Sequence, residues 1–264
     1  MAKIHTMPGV GPALQAPAVR TIGVEDLREA LRRGLDDFLA MPTHALFIAL
    51  IYPVLGLFLA AAIFGNNVLP LLYPLVAGFA LVGPVAAVGL YELSRRRERG
   101  EDLALARASG VLRSPAIGSI AALGGILVAI LFLWLATAQA LYHTIFGDYL
   151  PATLTGFLQE VLTTRRGWTL ILIGNAIGLA FGALVLSISV VSFPLLLDRN
   201  VGVPVAIQTS LQAVGASPGP MALWGLIVAV LLLVGFIPFF FGLAVVIPVL
   251  GHATWHLYRR AVPG

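Results

Sequence analysis

The stretch "MALWGLIVAVLLLVGFIPFFFGLAVVIPVLGHATWHLY", Met221 to Tyr258, decides how this chain is built. It is an apolar run of 38 residues. As one helix it would be about 57 Å long, against a bilayer hydrocarbon core of about 30 Å. Tilt does not absorb so large an excess. The "GFIP" at Gly235–Pro238 offers a break in the middle, so the run reads as two spans, 221–236 and 239–257.

The rest of the sequence agrees with a membrane setting. Of 264 residues 59% are hydrophobic and 11% charged, where a soluble domain of this size carries about 25% charged residues. Cysteine is absent, which excludes disulfides and thiolate chemistry. Working back from Met221, apolar runs follow at His44–Phe64, 68–93, 115–140 and 168–197. With the two spans above they make six. Residues 1–20 hold three prolines and no signal-like apolar core, and read as a mobile cytoplasmic tail. Residues 21–43 contain Val24, Leu27, Leu31, Leu35 and Phe38 at helical spacing with charges between them. That pattern predicts an amphipathic helix at the membrane interface, leading into a transmembrane domain over 44–260. Leu154, Phe157, Leu158, Val161 and Leu162 predict a short interfacial helix on the other side.

Basic residues orient the bundle. With six spans and a cytoplasmic N-terminus, 14 of the 16 Lys and Arg fall inside, and only Arg165 and Arg166 fall outside. The positive-inside rule therefore places both termini in the cytoplasm.

The sequence also repeats itself. Ala30-Leu31, Gly34-Leu35 and Pro42 match Ala206-Ile207, Ser210-Leu211 and Pro218, and "PVAAVGLYELSRR" from Pro84 matches "PVLGHATWHLYRR" from Pro248. "EDLALARASGVLRSP" and "SFPLLLDR" stand as a degenerate middle copy. The expected fold is all-α: six transmembrane helices arranged as three pseudo-repeated hairpins, each preceded by a cytoplasmic interfacial segment.

"GPVAAVGLYELSRRRERGE", "SFPLLLDRNVGVPVAIQTSLQAV" and "PVLGHATWHLYRR" together resemble a bacterial family of predicted integral membrane proteins of unknown function, over roughly residues 20–260. The resemblance implies a polytopic inner-membrane protein and carries over no catalytic residue. Its members are often labelled cytochrome c oxidase subunit I. A haem–copper centre needs several histidines buried on different spans, whereas this chain has His5, His44, His143, His252 and His256.

Candidate sites are few. His252 and His256 share a helix face and suit a metal or haem, with Glu92 as a third ligand if the second and sixth spans pack together. The competing reading makes them an interfacial belt with Trp255 and Tyr258. Arg95, Arg96, Arg97 and Arg99 suit anionic lipid headgroups or a topology anchor. Gly174, Gly178 and Gly182 form a small-residue seam for helix packing. Asn175, Ser187, Ser189 and Ser192 are interhelical glue or the lining of a solute path. No catalytic motif is visible, so no enzyme and no cofactor are expected. The leading expectation is a non-catalytic accessory or scaffold component acting through the lipid bilayer and membrane partners or its own copies, with no role in nucleic-acid binding. A channel or transporter for a small neutral solute or lipid is the alternative, and a haem or metal-binding subunit the third.

Overall fold

A computed structural model describes residues 16–41, 69–101, 114–151, 153–199, 201–237 and 242–263, with positions 56 and 103 isolated and 102 and 104–113 left out. The first expected span, His44–Phe64, falls outside the described residues apart from Gly56, as do His5 and His44. The elements are α1 (Val24–Ala40), a 3-10 turn (Leu69–Leu71), α2 (Leu72–Ala86), α3 (Val88–Glu98), α4 (Ile117–Phe146), α5 (Leu154–Thr163), α6 (Arg165–Ser189), α7 (Ser192–Asp198), α8 (Val203–Ala216), α9 (Pro218–Phe236) and α10 (Leu243–Ala261). Among the described residues there is no strand. Four helical units are long and apolar enough to cross a membrane: Leu72–Glu98, Ile117–Phe146, Arg165–Asp198 and Pro218–Phe236.

Local chemistry sets the helix ends. The Asp26 carboxylate accepts the Gly23 N–H at 2.9 Å at the start of α1, and the Thr153 and Thr164 hydroxyls accept from the third residue onward at the starts of α5 and α6. Gly147, at φ 62°, ends α4 in a conformation other residues avoid. Two spans are broken near one end. Pro84 lies inside α2, one turn before the break at Ala87. At the α6–α7 break, the Val191 N–H donates to Ser210 Oγ of α8 at 3.3 Å.

Among the described residues the helix ends sort to two ends of the bundle. The α9–α10 hairpin is tight: a Cβ on Gly242 would stand 2.7 Å from the Gly235 carbonyl oxygen. At the opposite end the start of α9 meets the start of α1, where Ser217 Oγ accepts the Ile22 N–H at 2.8 Å. The ends of α3, α7 and α10 converge there. Arg95 donates to the Leu197 carbonyl at 2.6 Å, Arg199 to the Pro263 carbonyl at 3.0 Å and Arg259 to Glu98 at 3.1 Å. Arg165 and Arg166 sit at the far end with α5, where Arg166 pairs with Glu160 at 2.8 Å.

Burial follows the same division. Toward the far end the long helices expose large apolar side chains, such as Leu172, Leu179, Leu226 and Leu233. At the basic end, Phe193, Leu195, Leu196, Leu27, Leu90, Leu93, Trp255, Leu257 and Tyr258 form a closed core. Apolar surface gains nothing by leaving lipid, so helices in a bilayer need not bury it; in water it must be covered. The exposed rods have the surface that lipid-facing helices require, and the closed core lies at the basic end.

The amphipathic helix is observed, and protein covers part of its apolar face: Leu27 is buried and Leu31 and Phe38 are half-buried, while Val24 and Leu35 stay exposed. α1 runs antiparallel to α10: the Arg20 N–H donates to the Ala261 carbonyl at 2.8 Å, and Arg260 reaches Asp26 at 3.5 Å. Gly34 lies directly on Ala253, whose nitrogen would be 2.6 Å from an added Cβ. The expected glycine seam is shorter than its spacing suggests. Gly178 faces Trp134 and Gly174 faces Leu141, both on α4, whereas Gly182 has no neighbour within 4 Å among the described residues.

Gly34→Leu should therefore destabilise the protein by about 1–3 kcal/mol or more through overpacking, while Gly182→Leu should leave it unchanged. Thermal unfolding of the two variants in the same detergent separates them.

Candidate functional site

Where α1, α3 and α10 meet, five polar side chains gather: Asp37, Ser94, Arg97, His252 and His256. Asp37 is the centre. α1 turns it inward one helical turn after Gly34, and it is buried together with Ser94 and His252. One carboxylate oxygen, Oδ2, accepts from Ser94 Oγ at 2.5 Å and meets His256 Nε2 at 2.9 Å. The other oxygen accepts from the Arg97 guanidinium. On the far side of Ser94, His252 Nδ1 lies 2.7 Å from the hydroxyl oxygen.

Proton accounting fixes the roles. An ionised carboxylate only accepts, and a serine has a single proton. That proton goes to Asp37, so His252 uses its Nδ1–H to donate to Ser94. Nε2 of His252 is buried, and the ring lies against the Leu90 backbone of α3. Burial of Asp37 by itself pushes its carboxyl up, but hydrogen bonds from His256, Ser94 and Arg97 outweigh it and hold the carboxyl below its usual range.

Two sequence expectations are corrected here. The acid beside the histidines is Asp37, not Glu92. Glu92 is buried on another face of α3, ion-paired with Arg95 and Arg96 at 2.6 Å each. The residues do not form a surface belt either, because His252, Trp255 and Tyr258 are all inside the core. His252 Nδ1 stands 3.9 Å from Asp37 and is turned toward Ser94, so the three groups share no common point for an ion. Among the described residues no group of three His, Cys, Asp or Glu is placed to hold a metal.

Ser94 and His252 are in contact although 158 residues separate them, and no sequence motif joins them. A small cavity of about 240 Å³ adjoins them, lined by Arg33, Asp36, Asp37, Ser94, Arg97, Glu98 and His256. The serine hydroxyl donates to Asp37, not to His252.

The four arginines expected to act alike are divided. Arg95 and Arg96 turn onto Glu92, Arg97 is bound to Asp37, and Arg99 lies 3.4 Å from Asp198. The polar mid-span positions are occupied locally. Ser187, Ser189 and Ser192 donate to carbonyls four residues back, and Asn175 accepts from Tyr73 at 2.7 Å.

Residues 71–198 match the family model "Predicted integral membrane protein (DUF2189)". No curated protein and no solved structure matches the chain. The DUF2189 match runs from α2 through α7 and so takes in Ser94 and Arg97, while Asp37, His252 and His256 lie outside it. It covers less than the span from 20 to 260 over which the motifs resemble that family.

Asp37→Ala should cost about 3–5 kcal/mol, since it leaves Arg97 and His256 facing a buried void. The pH dependence has a definite sign. The Asp37 carboxyl titrates lower in the folded protein than in the unfolded one. Its contribution is therefore fully present above the unfolded value of about 3.9 and falls away as the pH drops below it. Unfolding measured between about pH 6 and pH 3 should show that loss in the wild type, and Asp37→Asn should flatten it.

Proposed function

We propose that the chain is a six-span inner-membrane protein, both termini in the cytoplasm, that catalyses nothing and works through membrane partners as an accessory or scaffold component. The observation that carries this reading is the use made of its reactive groups. Both membrane-proximal histidines, the serine between them and the one acid they reach are spent on fastening α1 to α3 and α10.

The finer architecture belongs to the same proposal. Of the arginines in the described residues, Arg20, Arg28, Arg32, Arg33, Arg95, Arg96, Arg97, Arg99, Arg199, Arg259 and Arg260 belong to the end that carries the closed core, and only Arg165 and Arg166 to the other. That asymmetry favours a cytoplasmic cap. α10 returns to the cap after the tight turn with α9, as a sixth span would. Three features favour the repeat. Ala30 and Ala206, Gly34 and Ser210, and Asp37 and Ala213 are buried at matching positions, while Leu35 and Leu211 are exposed in both. The hairpin ends α3, α7 and α10 meet as three. Arginines at corresponding places, Arg95, Arg199 and Arg259, each bond to the next end in the same rotational sense.

Extraction in mild detergent followed by native mass spectrometry tests the functional reading. A stoichiometric partner or a homo-oligomer is expected, and a chain that always runs alone overturns it. Reporter fusions test the topology: a C-terminal alkaline phosphatase fusion should be inactive and a fusion after Thr163 active.

A further inference from the structure

A second cavity, distinct from the Asp37 cluster, lies at the basic end between α3, the start of α4 and α7. It measures about 360 Å³ and is lined by Arg95, Arg96 and Arg199 together with Glu92, Ser114 and Asp198. We propose that it is a binding site for the phosphate of an anionic phospholipid from the membrane leaflet next to the cap.

The charge balance comes first. Three guanidinium groups face two carboxylates, and both carboxylates are ion-paired. Glu92 is buried with Arg95 and Arg96 at 2.6 Å each, its Oε1 accepting from Arg96 while Oε2 has no hydrogen-bond partner among the described residues. Asp198 accepts from the Tyr258 hydroxyl at 2.8 Å and from Arg259 and Arg99 at 3.4 Å each. The cavity lining is left with one net positive charge. A phosphodiester carries one negative charge and several acceptor oxygens, which suits guanidinium donors.

Unused donors point the same way. Arg95 spends its two terminal nitrogens on Leu197 and Glu92, and its Nε is buried with no hydrogen-bond partner among the described residues. Arg96 gives Nε to Glu92 and keeps its NH1 3.8 Å from Glu101, beyond a hydrogen bond. The first turn of α4 follows Ser114 and Pro115, so the positive end of a 30-residue helix adjoins the cavity.

Position selects a lipid over a free anion. The apolar run of α4 begins at Ile117, one residue beyond the cavity lining. The cavity thus sits where a span leaves the cap and enters hydrocarbon, the depth at which phospholipid phosphates lie. Its volume takes a phosphate and glycerol but not acyl chains, which would continue along the exposed apolar rods.

Native mass spectrometry of the full chain, extracted and exchanged into mixed micelles of phosphatidylglycerol and phosphatidylcholine, tests the assignment. The wild type should retain one phosphatidylglycerol per chain in preference to phosphatidylcholine. At about five-fold per basic residue near a membrane surface, Arg96→Gln with Arg199→Gln should weaken retention about thirty-fold, and Arg166→Gln at the far end should not weaken it. Ser114→Leu, which narrows the cavity and keeps every charge, should also reduce retention and serves as the second variant if the double one unfolds. Undiminished retention by the folded double variant or by Ser114→Leu overturns the proposal, as does equal loss in Arg166→Gln. Competition by millimolar inorganic phosphate with no selective lipid retention would make it a free-anion site and likewise overturn it. A partner-free result in the extraction experiment leaves this outcome unaffected, so the two proposals fail separately.

Discussion

A buried carboxylate on the first helix holds the water-facing part of this protein together. Asp37 has been taken out of water at a cost of several kcal/mol, and it is tolerable only because Arg97, Ser94 and His256 all reach it. Those three partners come from two helices, α3 and α10, that are far apart in the chain. The carboxylate therefore specifies which surfaces meet. A misdocked α1 would leave the acid, an arginine and a histidine without one another. Gly34 works with it, since the contact with Ala253 is closer than any side chain on that position would allow.

The dense core and the sparse rods are two answers to two solvents. Among the described residues the helices of the bilayer meet closely at a few places, where Gly78 of α2 admits Leu131 of α4 and where Gly174 and Gly178 of α6 admit Leu141 and Trp134 of α4. In the cap the same helices need a continuous interior, and the chain supplies it by breaking two spans at Ala87 and Val190 and packing the resulting short helices, α3 and α7, against α10. Arginine bonds then run from each end to the next. The cap is built as one cooperative unit from elements drawn from the whole length of the chain.

Much of this was legible in the sequence, for reasons that can be named. Spans announce themselves because hydrocarbon tolerates few charges over about 20 residues. The helices α1 and α5 announce themselves through apolar residues at helical spacing, with both near their expected limits. What stayed hidden depends on pairing across the chain. Leu27, Leu31 and Phe38 describe an apolar face equally well for a membrane surface or for a protein core. Repeat alignment set Glu92 opposite His256 and so suggested the wrong acid, because the right one belongs to α1 and is 219 residues away. At Val190 the break is marked by Pro194, which offers the Val190 carbonyl no N–H, but its support by Ser210 from another helix cannot be read locally. Gly182 continues a spacing pattern that α4 does not follow.

The measurement that tests this account most directly is a double-mutant cycle between Asp37 and His256, read from reversible unfolding in detergent with Asp37→Asn, His256→Ala and the double variant. Side chains in direct contact couple by about 0.5–3 kcal/mol, whereas independent sites add to within about 0.5 kcal/mol. A coupling above about 1 kcal/mol is the predicted result. Additive effects would mean that α1 does not dock on α10, and the cap would have to be held together by something else.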